Sequence, residues 1–199
     1  MKHMQPKTFR VVIAVLSSDR FSQRGLRKLC NEEVSAGQVN KVVAELVRNG
    51  FVERSSGRAA FVLADPLGLL RYVGLFRSMP EQRVFTASVA AKRDEITAGL
   101  SKRGVVFCLG TAMESYTPYF RPGEVSFYAE DWKAAKGFLD TAPRGTTRVT
   151  CYGTIGDDPL SVGPKTGITT KVRTVIDMFC DGKGVYTKPL LKDLWGAEI

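Results

Sequence analysis

Near the start of the chain three runs follow one another without a break: Ser22-Gln23-Arg24-Gly25-Leu26-Arg27-Lys28-Leu29-Cys30, then Asn31-Glu32-Glu33-Val34-Ser35, then Ala36-Gly37-Gln38-Val39-Asn40-Lys41-Val42-Val43-Ala44-Glu45-Leu46-Val47-Arg48-Asn49-Gly50. The first spaces Leu26, Leu29 and Cys30 along one face of a short amphipathic helix. The second interrupts that helix and delivers Ser35, a residue suited to N-cap the next one. The third puts Val39, Val42, Val43, Leu46 and Val47 on one side, and Gly50 ends it as the glycine just past a helix C-terminus. Phe51-Val52-Glu53-Arg54 then starts a strand, Ser55-Ser56-Gly57 turns, and Arg58 to Leu63 returns. Helix, tight turn, helix and basic hairpin, in that order, predict a winged helix-turn-helix.

That order carries a chemical expectation. An α-helix fills the major groove of duplex DNA, and its first turn and exposed face reach base edges. Here those positions are Ala36, Gly37, Gln38, Asn40 and Lys41. Ala36 and Gly37 allow close approach of the backbone. The amides of Gln38 and Asn40 match adenine N6 and N7, and Lys41 suits guanine or phosphate. Ser35 and the helix N-terminus offer N–H groups to a phosphate. Arg54 and Arg58 flank the hairpin tip and suit the backbone or minor groove, while Arg24, with Arg27 and Lys28, is placed to track the backbone. The competing reading is a helix-turn-helix used for protein contact, its basic residues merely solvated.

Working outward, Pro6 to Leu16 predicts the first helix of a three-helix core, with Phe9, Val12, Ile13 and Leu16 on one face. After the hairpin, Asp65-Pro66 caps a helix from Leu67 to Arg77, with Leu69, Leu70, Val73 and Phe76 inward. The expected organisation is a DNA-binding domain over 1–66, a linker helix within 67–80 and a small α/β domain over 81–199. In that last part we expect a helix over Ala87 to Leu100, a buried strand at Val105 to Leu109 and a short helix ending near Tyr116. A strand at Val125 to Ala129, a helix from Trp132 to Leu139 capped by Asp131, and a strand at Arg148 to Tyr152 come next. Helices at Lys171 to Phe179 and Pro189 to Trp195 complete the pattern. The expected fold class is α+β.

Composition is compatible with this. The 199 residues carry a formal net charge of +9, and a basic balance suits a polyanionic partner. Eleven basic and six acidic residues fall between Met1 and Pro66. Cys30, Cys108, Cys151 and Cys180 are far apart, no CxxC pair exists, and the only histidine is His3, so neither zinc nor another metal is expected. Buried, reduced thiols are the expectation, and with no signal peptide, membrane-spanning run or acylation motif in view, a cytoplasmic protein follows.

Two carboxylate pairs and one glycine-rich run need weighing. Glu130 and Asp131 are adjacent rather than alternating, so on a strand they point to opposite sides, and they read as the acidic cap of the next helix. Asp157-Asp158 sits between Gly156 and Pro159 and reads as a turn. Gly163-Pro164-Lys165-Thr166-Gly167 lacks the spacing of a phosphate loop. Tyr116, Tyr119, Phe120 and Tyr128 beside Arg121 are compatible with a pocket or stacking surface, but core aromatics are commoner. No catalytic residue and no cofactor is assigned.

With these residues in place, the chain resembles the AbiEi-type antitoxins of abortive-infection systems and the winged-helix regulators related to them. The matching features are the N-terminal module, the Leu63-Ala64-Asp65-Pro66-Leu67-Gly68-Leu69-Leu70 junction, and the apolar strand before Gly110-Thr111-Ala112. Pro118-Tyr119, Val125-Ser126-Phe127-Tyr128 and Val172-Arg173-Thr174-Val175-Ile176-Asp177-Met178 follow in order, each motif being short. The resemblance implies binding and repression at DNA upstream of the protein's own gene. It also implies a nucleotidyltransferase-like C-terminal fold that serves as effector, or as an antitoxin neutralising a toxin protein. A nucleotidyltransferase enzyme is the third reading, disfavoured because the alternating carboxylates are missing. A homodimer is expected, since symmetric half-sites raise affinity.

Overall fold

The computed structural model describes residues 4–56, 61–117, 120–155, 160–163 and 167–198. Arg58, His3, Pro118-Tyr119, Asp157-Asp158 and Lys165-Thr166 lie outside the described residues. The chain opens with α1 (Pro6–Leu16), whose proline occupies the first turn, where its missing N–H costs nothing. Every residue from Val11 to Leu16 is buried, which is why the apolar surface of this helix is wider than one stripe. A two-residue strand β1 (Arg20–Phe21) follows, and Ser22 caps α2 (Gln23–Leu29) by accepting from the Gly25 N–H at 3.0 Å. The break before the next helix runs through Asn31 and Glu32 in left-handed conformation. Ser35 then caps α3 (Ala36–Arg48), accepting from the Gln38 N–H at 3.2 Å, a bond worth ~1 kcal/mol. Gly50, at φ 76°, turns the chain into β2 (Val52–Arg54), which pairs with β3 (Phe61–Leu63).

The sheet order β1-β3-β2 is antiparallel throughout. β1 had no sequence signal, because two residues carry no periodicity; it is held by Phe21 stacking on Phe61 at 5.8 Å. Leu29, expected inward, is 39% exposed. It closes the last turn of α2, so Leu26 and Cys30 take the buried positions and Leu29 rotates out.

Asp65 caps α4 (Pro66–Phe76) through the Gly68 N–H at 2.8 Å. A 3-10 turn at Pro80–Gln82 leads to β4 (Arg83–Val89), where a helix was expected from Ala87. The alanine-rich run favours helix locally, but Phe85, Ala87 and Val89 alternate inward while Thr86 and Ser88 face solvent. The register against the later strand wins over propensity. The chain continues through α5 (Arg93–Ser101), β5 (Val106–Phe107), α6 (Leu109–Tyr116), β6 (Glu124–Tyr128), α7 (Trp132–Asp140) and β7 (Thr147–Tyr152). It ends with α8 (Lys171–Cys180), a 3-10 turn at Gly184–Thr187 and α9 (Lys188–Trp195). The second sheet runs β4-β7-β6-β5, with β6 parallel to β7 across the α7 crossover and the outer pairs antiparallel. The fold is α+β with two small sheets.

Alternation along β6 divides the interior. Val125 and Phe127 face a core shared with Ile96 and Leu100 of α5 and Ala135 and Leu139 of α7. Tyr128 faces the other way, into a core that also takes in Val175 and Ile176 of α8. That second core does not stop at residue 80. It continues through Leu69, Leu70 and Val73 of α4 to the buried faces of α1 and α3. α4 packs along α8, and Trp195 donates its indole N–H to the Leu16 carbonyl at 3.1 Å, tying α9 to the end of α1.

Candidate nucleic-acid interface

The outward side of α3 is set by what its inward side must do. Val39, Val42, Val43 and Leu46 are buried, and a 3.6-residue period then turns Gly37, Lys41, Ala44 and Arg48 to the opposite side. All four are exposed, as are Ser35 and Ala36 at the helix start. The strip alternates small side chains with cations. Lys41 and Arg48 project from it, and Arg48 pairs with Glu45 at 3.5 Å. Ala44 and Arg48 were absent from the sequence-based candidates. Continuing the spacing of seven from Gly37 to Ala44 and from Lys41 to Arg48 would have found them.

The two amides sit on the flanks of this strip and point away from each other. Gln38 is half-buried and donates from Nε2 to Thr8 Oγ1 of α1 at 3.0 Å. Asn40 is exposed on the other flank, where its Oδ1 accepts from Gln23 Nε2 of α2 at 3.0 Å. The helix therefore presents cations at its centre and tethered amides at its edges. Arg24 is exposed on α2 and Arg54 is exposed at the end of β2. The Ser35 hydroxyl serves its own helix, so the free N–H groups of Ala36 and Gly37 are those left to face an anion.

Polar residues elsewhere are differently employed. Asp131 caps α7, its Oδ1 accepting from the Ala134 N–H at 3.0 Å. Tyr116 donates to the Thr169 carbonyl at 2.6 Å, and Phe120 packs on Tyr186, so these aromatics serve the interior and its rim. No local pattern of residues announces the buried cluster on α8. Arg173 is 3% exposed and Asp177 is 0% exposed. The guanidinium donates to Asp177 Oδ1 at 2.8 Å, to Ser161 Oγ at 3.0 Å and to the Tyr128 hydroxyl at 2.9 Å. Tyr128 in turn donates to Asp177 Oδ2 at 3.0 Å. Burial opposes the charge on Arg173, yet Asp177 and Tyr128 outweigh it and hold its pKa above the usual value. Burial likewise raises the Tyr128 hydroxyl well above its ordinary range, against the pull of Arg173. The i, i+4 spacing of an arginine and an aspartate looks like a surface pair in sequence; only the burial of the whole helix shows otherwise.

All four cysteines are buried, and none is joined to another by a disulfide. Among the described residues no group of three His, Cys, Asp or Glu is placed to hold a metal ion. No helix among them is long and apolar enough to cross a membrane. No protein family, characterised protein or solved structure matches the chain.

Proposed function

We propose that residues 1–66 form a winged helix-turn-helix and that the protein is a sequence-specific regulator binding duplex DNA, acting as an autorepressor. One observation carries this reading: the outward strip of α3, where Gly37 and Ala44 alternate with Lys41 and Arg48, is exposed along its whole length. A helix lying in the major groove needs small residues where its backbone meets the groove wall and cations where the phosphates pass. Both are supplied at the right period. The β1-β3-β2 sheet supports the reading, since β2 packs against α3 and ends at Arg54, as the wing of such a module would. In this arrangement Lys41, Arg48, Arg54 and Arg24 position the duplex, and the first turn of α3 approaches the bases. The segment after residue 80 is then an effector or partner-binding part.

The decisive experiment is binding of the purified chain to a labelled duplex from its own upstream region, with scrambled duplex as competitor, across a salt series. Released counterions make log affinity fall with log salt by about 0.9 for each phosphate neutralised. Steep salt dependence together with survival of the competitor supports the regulator. Weak binding that ignores sequence would overturn it.

A further inference from the structure

A cavity of about 420 Å³ opens between α1 and the segment that follows β7, and its polar lining is predominantly cationic. Two of its cations are already neutralised. Arg10 pairs with Glu33, which lies in the turn before α3, and Arg173 pairs with Asp177. The other two, Lys7 and Arg77, have no carboxylate within ion-pair distance among the described residues.

Arg77 is the telling one. It is half-buried, and its guanidinium lies 4.2 Å from the centre of the Phe9 ring. On the edge of the fork formed by Nε and Nη2, only half the bonding is satisfied. Nη2 donates to Gln82 Oε1 at 2.7 Å, while Nε is buried with no hydrogen-bond partner. A neutral amide oxygen thus occupies one tooth of a two-toothed donor that matches an oxyanion bidentately. A buried N–H left empty costs free energy that a second acceptor oxygen would recover. Beside the fork, Phe9, Ile13 and Ile155 form an apolar wall.

We infer that this cavity binds a small organic oxyanion, a carboxylate or phosphate on an apolar body, which displaces the Gln82 amide and takes both Nε and Nη2 of Arg77. Lys7 at the rim adds a second positive charge, and the apolar wall takes the body of the ligand. The occupant would touch α1 and the turn leading into α3, so on the DNA-binding reading it is an effector; the binding itself does not depend on that reading.

The test is calorimetric titration of the full chain with three probes that share a phenyl body: benzoate, phenyl phosphate and the neutral benzamide. At least one anion should bind saturably at a single site, with benzamide weaker by about tenfold or more. The better anion identifies the headgroup. Arg77→Gln should lower that affinity by a similar factor. Gln82→Glu should do the same for a different reason, because its own carboxylate fills the fork, and this variant keeps the test decisive if Arg77→Gln does not fold. Failure of both anions to saturate, benzamide binding as tightly as benzoate, or wild-type affinity in Gln82→Glu would each overturn the site.

Discussion

α3 and α8 are both helices of ordinary length with cations, apolar residues and a side-chain N-cap, yet they put these residues to opposite uses. α3 buries one stripe and leaves Lys41 and Arg48 in water. α8 is buried on nearly every side, and Arg173, Thr174 and Asp177 are as enclosed as Val175 and Ile176. On α3 the charges are available to a partner. On α8 the buried polar groups are consumed: Arg173 by Asp177, Ser161 and Tyr128, and the Thr174 hydroxyl by Thr169 at 2.7 Å. A polar residue on a helix is therefore a candidate for function only once its surroundings are known. The largest prediction follows from α8. Asp177→Ala leaves the Arg173 cation buried and unpaired, so unfolding free energy should drop by ~3–5 kcal/mol. Arg173→Met combined with Asp177→Leu should lie closer to wild type than Asp177→Ala alone, because no isolated charge is left inside. Chemical denaturation of the three variants checks this, and a single substitution costing no more than a surface change would dissolve the contrast.

The same contrast explains what could be seen in advance. α3 was legible because its valines recur at helical spacing against a polar background, and because Ser35 and Gly50 mark its ends. α8 was legible as a helix but not as an interior one, since Arg173 and Asp177, four residues apart, imitate a solvated ion pair. The inward reading of Leu29 failed because a seven-residue helix has too few turns to fix its orientation. The strand at Arg83–Val89 was missed because its alternation is made of small and hydroxylated residues whose partners lie in β7, far along the chain. Of the candidate site, Lys41 and Arg54 are exposed, and so is Arg48 at the far end of α3, which escaped notice. The ties from Gln38 to Thr8 and from Asn40 to Gln23 depend on how α1 and α2 cross α3, and a single sequence does not encode that in any local pattern.

The buried side of the molecule also predicts a pH response. Burial pushes the Cys180 thiol up to about 12, and Cys151 is likewise pushed up to about 12. A thiol whose pKa is raised on folding keeps its proton in the native state after the unfolded chain has lost it. Its contribution is thus complete below the unfolded value and is lost as pH rises toward the folded one. Stability should fall between about pH 9 and pH 12, by up to roughly 1.4 kcal/mol per pH unit for Cys180 alone. Denaturant midpoints at stepped alkaline pH would measure it, and Cys180→Ala should flatten the slope. A slope unchanged in that variant would mean that the thiol is not the group responding.

On the exposed side, Lys41→Ala and Arg48→Ala should leave stability within about 0.5 kcal/mol of wild type, as expected for solvated positions. Each should reduce the slope of log affinity against log salt by about 0.9 if its cation meets a phosphate. Equilibrium unfolding and salt-series binding, run on the same samples, separate the two effects. A loss of stability without a loss of salt dependence would move these residues from interface to scaffold.

Gln38 stands between the two kinds of residue, and its substitution should have the smallest effect on recognition. An amide that pairs bidentately with adenine contributes ~1–3 kcal/mol of discrimination. To do so here, its Nε2 must first release Thr8 Oγ1, a hydrogen bond whose net worth is about 0.5–1.5 kcal/mol. The two terms largely cancel, so Gln38→Ala should lower stability slightly and change base preference by less than about 1 kcal/mol. Competition among duplexes that differ at single base pairs measures this directly. Should base preference collapse by the full bidentate amount, the amide swings out of its intrachain bond when DNA arrives. The flank of α3 would then read bases as well as brace α1. With Thr8→Ala, which removes the competing acceptor, discrimination through Gln38 should rise in the first case and stay constant in the second.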